Sequence, residues 1–155
     1  MFSRRKKQAG DQPQHQAPDD ATIARQMSGL AEAFLSGAAE EGDHYDYAPE
    51  NAPRLDAWID LFVAQGPPED VVHSVVLSMG AYVGELIVRN GGGRWTFEPR
   101  TGAPGVHLTT GLVCFPLNKV AKRINVGPEH SIAQFVEVSI AGELPPEARE
   151  VKGPH

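Results

Sequence analysis

The sequence has a single cysteine, few aromatic residues and no long apolar run, and these shortages exclude several classes of protein. Because Cys114 is alone among 155 residues, the chain has neither a disulfide scaffold nor a cysteine-based zinc module. Aromatic residues make up 7% of the chain, and it lacks a run of about 18 uncharged apolar residues, the length that a membrane span needs. The 41% hydrophobic content is enough for one core. No apolar segment follows the basic start, so we expect a cytoplasmic protein.

Motifs for metal binding and catalysis are missing as well. The six histidines are scattered, and none is followed by a second ligand at i+3 or i+4 on a predicted helix. The glycines of 91–93 follow a predicted helix and precede a strand, which is the reverse of the order in phosphate-binding loops. Cys114 lies between Val113 and Phe115, a setting typical of a buried thiol rather than a nucleophile. We therefore predict no metal, no cofactor and no catalytic residue.

Charged residues are segregated along the chain, which has a formal net charge of −6. Ten acids and one base, Arg54, lie between Glu32 and Asp70, whereas six bases and one acid lie between Arg89 and Arg123. Four further bases occupy residues 4–7. Such segregation concerns partners and solubility rather than the fold. The two halves either neutralise each other within the fold or present two faces of opposite sign.

The spacing of apolar residues predicts an α+β fold. N-terminal helices pack on a small antiparallel three-stranded meander, and one or two short helices follow. Residues 131–140 fit either a helix beginning after Ser131 or a strand, and we favour the helix. The expected organisation is a disordered basic and polar arm (1–20), an accessory helix (21–36), an acidic linker (37–50), the α+β domain (51–141) and a tail (142–155).

The third predicted helix contains two glycines, Gly80 and Gly84, which are four residues apart and so share one face. A glycine inside a helix costs about 1 kcal/mol relative to alanine. The simplest compensation is a neighbouring element that packs too close to leave room for a Cβ atom. We therefore expect this helix to lie at the centre of the fold, with Trp95 and Phe97 of the following strand in the core.

The same helix has the one cluster of side chains with useful chemistry. Tyr82, Glu85 and Arg89, preceded by Ser78, are spaced so that they share a stripe beside the apolar face. Glu85 and Arg89 form an i, i+4 pair, so the stripe is either a structural ion pair, a binding site at the rim of a groove, or a catalytic site with Glu85 as general base. Arg94 or Lys119 is expected to join it.

A second candidate surface lies on the short helix that begins at Pro116, where we expect Lys119, Lys122 and Arg123 to point outwards. Together with Arg94 this patch offers weak binding to nucleic acid. The sequence pI of about 5.5 argues against such a role, since domains that bind nucleic acid usually have a pI above about 9.

The segments Gly80–Glu85, Gly92–Trp95 and Phe115–Arg123 carry a pattern of the form GAYxGE…GGxW…PLxKVxKR. In this pattern the chain resembles a group of small, uncharacterised and mostly actinobacterial domains over residues 55–140, with Val83 where leucine is usual. The resemblance implies that the helix, the glycine corner and the strand form one recurrent unit, and it implies no activity.

These observations favour a non-enzymatic cytoplasmic module that binds another protein. The alternatives are a small enzyme that uses Glu85 as general base and a weak nucleic-acid binder that uses Lys119, Lys122 and Arg123. A membrane association is not expected. The sequence indicates neither the identity of the partner nor the oligomeric state.

Overall fold

The computed structural model describes residues 18–143, so the expected arm (1–20) and tail (142–155) lie almost wholly outside the described residues. The elements are, in order, α1 (Asp20–Glu40), a 3-10 turn (Pro49–Asn51), α2 (Ala52–Ala64), α3 (Glu69–Gly91), β1 (Arg94–Glu98), β2 (Ala103–His107), β3 (Val113–Cys114), α4 (Pro116–Asn125) and α5 (Ile132–Ile140). The predicted α+β class is confirmed: helices precede a three-stranded antiparallel meander, and two short helices follow it.

The first helix belongs to the main core rather than to an accessory element. It begins after Asp19, whose side chain accepts a hydrogen bond from Thr22 N at 2.8 Å. Ile23, Met27 and Ala31 recur at four-residue steps and join the same buried cluster as the residues of α3. The expected boundary at residue 51 is therefore not a boundary in the packing, because α1 packs on α3 and β1.

The expected end of this helix at residue 36 is also wrong. The helix continues through Gly37 to Glu40 and stops where Gly42 adopts a φ of +90°. Ala38 and Ala39 are strong helix formers, and the left-handed conformation at Gly42 lets Asp43 N donate to Ala38 O. Four residues of the expected acidic linker are thus helical.

The third helix is the centre of the fold, as its glycines predict. All nine residues from Met79 to Ile87 are buried. A Cβ atom on Gly84 would lie 2.2 Å from the Trp95 ring, and one on Gly80 would lie 2.8 Å from Leu117 Cα. The two glycines therefore allow α4 and β1 to approach the same face of the helix, one turn apart.

The length and composition of α3 alone would allow it to cross a membrane, with a mean hydropathy of 1.7 over its most apolar window. Half of that window is buried inside the protein. The apolar run of α3 is explained by the core that the helix builds.

The sheet is a meander in which β1 pairs with β2 from Arg94 opposite His107 to Glu98 opposite Ala103. β2 pairs with β3 only at Val106 and His107. Trp95 is buried and Phe97 half-buried, as predicted. β2 begins at Ala103 and includes Pro104, which is tolerated because only β1 pairs with the strand at that position.

The ambiguous segment 131–140 is helix α5, as favoured from the sequence. The Ser131 side chain accepts a hydrogen bond from Gln134 N at 3.1 Å and caps the helix. Ile132, Phe135 and Val136 then face the core. α5 packs on α2 and α3.

Candidate functional site

Tyr82 and Glu85 of the stripe predicted on α3 are buried and do not lie at the rim of a groove. Tyr82 is fully buried, and its ring stacks on Phe34 with the ring centroids 4.8 Å apart. Its hydroxyl donates to the carbonyl oxygen of Asp46. Burial raises the pKa of the Tyr82 hydroxyl well above its ordinary value. Tyr82 therefore fixes the segment between α1 and α2 onto the core instead of facing a ligand.

Glu85 is a buried link between helix and sheet, with 6% of its surface exposed. Its Oε2 accepts a hydrogen bond from Trp95 Nε1 at 2.8 Å, and its Oε1 accepts one from Arg89 Nε at 2.9 Å. The guanidinium of Arg89 lies 3.7 Å from the centroid of the Tyr47 ring. Each carboxylate oxygen of Glu85 thus has a partner within the fold. Of the three interpretations of the stripe, this arrangement favours a structural ion pair between Glu85 and Arg89.

Arg94 does not join the stripe. Its Nη1 lies 3.1 Å from Asp20 Oδ2, in an ion pair at the surface between β1 and the start of α1. The Thr96 hydroxyl donates to the same carboxylate at 3.2 Å. Because both partners are more than half exposed, this pair contributes about 1 kcal/mol at most.

The predicted basic patch on α4 is also wrong, because Arg123 points inwards and is 4% exposed. Its Nε donates to Asp56 Oδ1 at 2.9 Å and its Nη2 to Asp60 Oδ1 at 2.7 Å. Burial alone would lower the pKa of Arg123, but the hydrogen bonds to the two carboxylates outweigh burial and raise it. The guanidinium is therefore part of the contact between α2 and α4.

Asp56 extends this contact to a third helix. Its carboxylate also accepts hydrogen bonds from the backbone N–H groups of Ile132 and Ala133, both at 2.9 Å, and lies 3.2 Å from the Ser131 hydroxyl. These N–H groups belong to the first turn of α5, where a negative charge is favoured by the helix dipole. We call Asp56, Asp60, Arg123 and this first turn the Asp56 junction.

Lys119 is 6% exposed, and its Nζ lies 3.5 Å from His130 Nδ1 and 5.7 Å from the centroid of the Phe135 ring. Only Lys122 of the three basic residues is exposed. The inward face of α4 consists of Pro116, Lys119, Val120 and Arg123. A sequence signal for this orientation exists, since Asp56 and Asp60 are spaced by four on α2, as Lys119 and Arg123 are on α4.

A cavity that the sequence did not predict lies among the helices of the described residues. It has a volume of about 190 Å³ and lies between the C-terminal half of α1, the segment that follows it, α2 and the N-terminal half of α3. Three aromatic side chains from three different segments line it, namely Phe34, Tyr45 and Trp58. We call this cavity the α1–α2 cleft. Of the predicted stripe only Ser78 lines it.

The α1–α2 cleft has a negative electrostatic character. Glu41 and Asp43 line it, at the C-terminal end of α1, where the helix dipole is negative. Within residues 18–143 neither carboxylate is in an ion pair or a side-chain hydrogen bond. The nearby base Arg54 lies 4.0 Å from the centroid of the Tyr45 ring and donates to His44 O and Asn51 Oδ1. Because these acceptors are neutral, the positive charge of Arg54 stays beside the Tyr45 ring, and the negative character of the cleft comes from Glu41, Asp43 and the end of α1.

Neither the thiol of Cys114 nor any cluster of metal-ligating side chains forms a candidate site in the part of the chain that the structure describes. Burial raises the pKa of the Cys114 thiol to about 12. Across residues 18–143, the structure brings no three His, Cys, Asp or Glu side chains together in a way that would hold a metal ion. Comparisons with protein-family models, curated proteins and solved structures find no significant match for this chain. The resemblance to small actinobacterial domains therefore stays a prediction.

Proposed function

We propose that the chain is a non-enzymatic cytoplasmic module that binds another protein, and that the α1–α2 cleft is its binding site. The observation that supports this most is an open aromatic cavity next to two carboxylates without partners, Glu41 and Asp43. The polar stripe and the basic helix, by contrast, are occupied by contacts within the fold. Aromatic anchors in pockets supply much of the energy of protein interfaces.

The size of the cleft favours one anchoring side chain over a whole small molecule. Sites for small molecules and cofactors usually enclose about 300–1,000 Å³. The cleft has a volume of about 190 Å³, which is closer to the engineered cavity of about 150 Å³ that holds a single benzene. A side chain of a partner protein matches this volume.

The two alternatives have weaker support. A general base must reach its substrate, but Glu85 does not line the cleft and both of its oxygens accept hydrogen bonds from Trp95 and Arg89. Nucleic-acid binding would use Lys119 and Arg123, which are buried. Protein binding at the cleft would leave Glu85, Lys119 and Arg123 in their contacts within the fold.

The proposal is tested by selecting peptides from a random library against the full chain. Gly37 lines the cleft and Gly29 lies two turns earlier on α1, and a Cβ atom at either position meets no atom within 4 Å. Gly37→Phe therefore obstructs the cleft, whereas Gly29→Phe is a matched control on the same helix. Selected peptides should bind the wild type and Gly29→Phe but lose at least tenfold in affinity for Gly37→Phe. Peptides that bind all three equally would contradict the proposal.

A further inference from the structure

We infer that the α1–α2 cleft recognises a lysine or arginine side chain from a basic segment of the partner, an inference that rests on the proposed function. The cleft combines an apolar interior with negative charge at one end. Phe34, Tyr45 and Trp58 provide the aromatic surface, and Glu41 and Asp43 provide the charge. A long side chain with an aliphatic stem and a cationic head is complementary to both parts.

The aromatic residues suit such an occupant. A cation within about 6 Å of a ring centroid is attracted by the negative face of the ring. Tyr45 already holds one guanidinium in this way, since Arg54 lies 4.0 Å from its centroid. Phe34 is fixed by stacking on Tyr82, and Trp58 by stacking on Phe62, each with centroids 4.8 Å apart. The aromatic surface is thus already in place before a partner arrives.

The charges around the cleft also favour a cationic occupant. Ten acids and one base lie between Glu32 and Asp70. Asp56 and Asp60 are paired with Arg123, and the remaining eight acids still outnumber the base, Arg54. The last turn of α1 contains no basic residue to offset the negative end of its dipole. An anionic or uncharged partner would gain nothing from this field, whereas a basic segment is drawn to it.

The experiment uses four acetylated and amidated pentapeptides, Gly-Ser-X-Ser-Gly, in which X is lysine, arginine, norleucine or glutamate. Binding to the full chain is followed through the amide resonances of Gly37 and Ser78 by NMR. Lysine and arginine peptides should bind at least fivefold more tightly than the norleucine peptide, which has a similar stem without charge. The double variant Glu41→Gln and Asp43→Asn should lose this advantage of the cationic peptides over the norleucine peptide, which is about fivefold in affinity, the size expected for partly exposed charge pairs.

The outcomes separate the inference from the proposed function. If the norleucine peptide binds as tightly as the lysine peptide and Gly37→Phe abolishes the binding of both, the cleft is a binding site but the inferred preference for a cation is contradicted. If no peptide shifts the two resonances and selected library peptides ignore Gly37→Phe, the proposed function itself fails.

The chain has four bases of its own at residues 4–7, the same chemistry that the cleft is inferred to recognise, so a variant without them serves as a control. A variant with alanine at residues 4–7 should bind the lysine peptide within threefold of the wild type. A tenfold or larger gain would show that the occupant is this segment rather than a partner, and would overturn the inference.

Discussion

Replacing Gly84 by alanine tests the close approach of β1 to α3 that organises the fold. The added Cβ atom would lie 2.2 Å from Cζ2 and Cη2 of Trp95, whereas carbon atoms in contact are separated by about 3.5–4.0 Å. Trp95 has little freedom to move, because it is 3% exposed and its Nε1 is hydrogen-bonded to Glu85 at 2.8 Å. The substitution therefore strains the contact between helix and sheet.

The expected magnitude follows from two opposing effects. Overpacking a well-packed core costs about 1–3 kcal/mol, and an overlap of this size belongs at the upper end. The alanine gains about 1 kcal/mol in helix propensity, which leaves a net loss of about 2 kcal/mol. Gly29→Ala on α1 meets no atom within 4 Å, so it should stabilise by about 0.5–1 kcal/mol. The two variants should differ by about 3 kcal/mol.

Urea unfolding followed by circular dichroism measures both free energies of unfolding. Gly80→Ala, whose Cβ atom would lie 2.8 Å from Leu117 Cα, should fall between the two variants. In a Trp95→Leu background, Gly84→Ala should lose its cost, since the ring is gone. Equal stability of Gly84→Ala and Gly29→Ala would refute this account of the packing.

Three further predictions concern ionisable side chains. Asp56→Ala should lower the free energy of unfolding by about 3 kcal/mol, because it leaves the charge of Arg123 buried with less compensation. Asp20→Ala at the surface should cost less than about 1 kcal/mol in the same urea titration. Burial raises the pKa of Tyr47 to about 12 in the folded protein, whereas a tyrosine in the unfolded chain loses its proton near pH 10. The free energy of unfolding should therefore fall as the pH rises from about 10 to 12, and urea unfolding at a series of pH values measures it. Cys114 should react with a maleimide only at the rate of unfolding at pH 8, and rapid labelling of the native protein would contradict its burial.

The sequence predicts the helices and the meander because their apolar spacing is long and regular. Gly80 and Gly84 even predict the close packing of α3, since the cost of a mid-helix glycine needs a compensation. The end of α1 is not predicted in the same way. Gly37 is tolerated inside that helix, and the left-handed turn five residues later at Gly42 ends it.

The candidate site is harder to predict because it depends on tertiary contacts. Lys119 and Arg123 look like surface residues in a helix of ten residues, and only the carboxylates of α2 make it favourable to bury Arg123. The burial of Glu85 likewise depends on a tertiary contact, because its hydrogen-bond partner Trp95 lies ten residues away, after the glycines of 91–93. The cleft is formed by side chains from four segments, and no local pattern joins Phe34 to Trp58.

The most direct test of the central claim maps where a bound peptide contacts the full chain. An amide-resonance map with a library-selected peptide should show perturbations concentrated at Gly37, Ser78 and the indole of Trp58, which belong to three different helices and all line the cleft. The same peptide should leave the resonances of Gly37→Phe unchanged. Perturbations confined to α4 or the sheet, with the cleft residues unaffected, would contradict the claim that the chain binds its partner through the α1–α2 cleft.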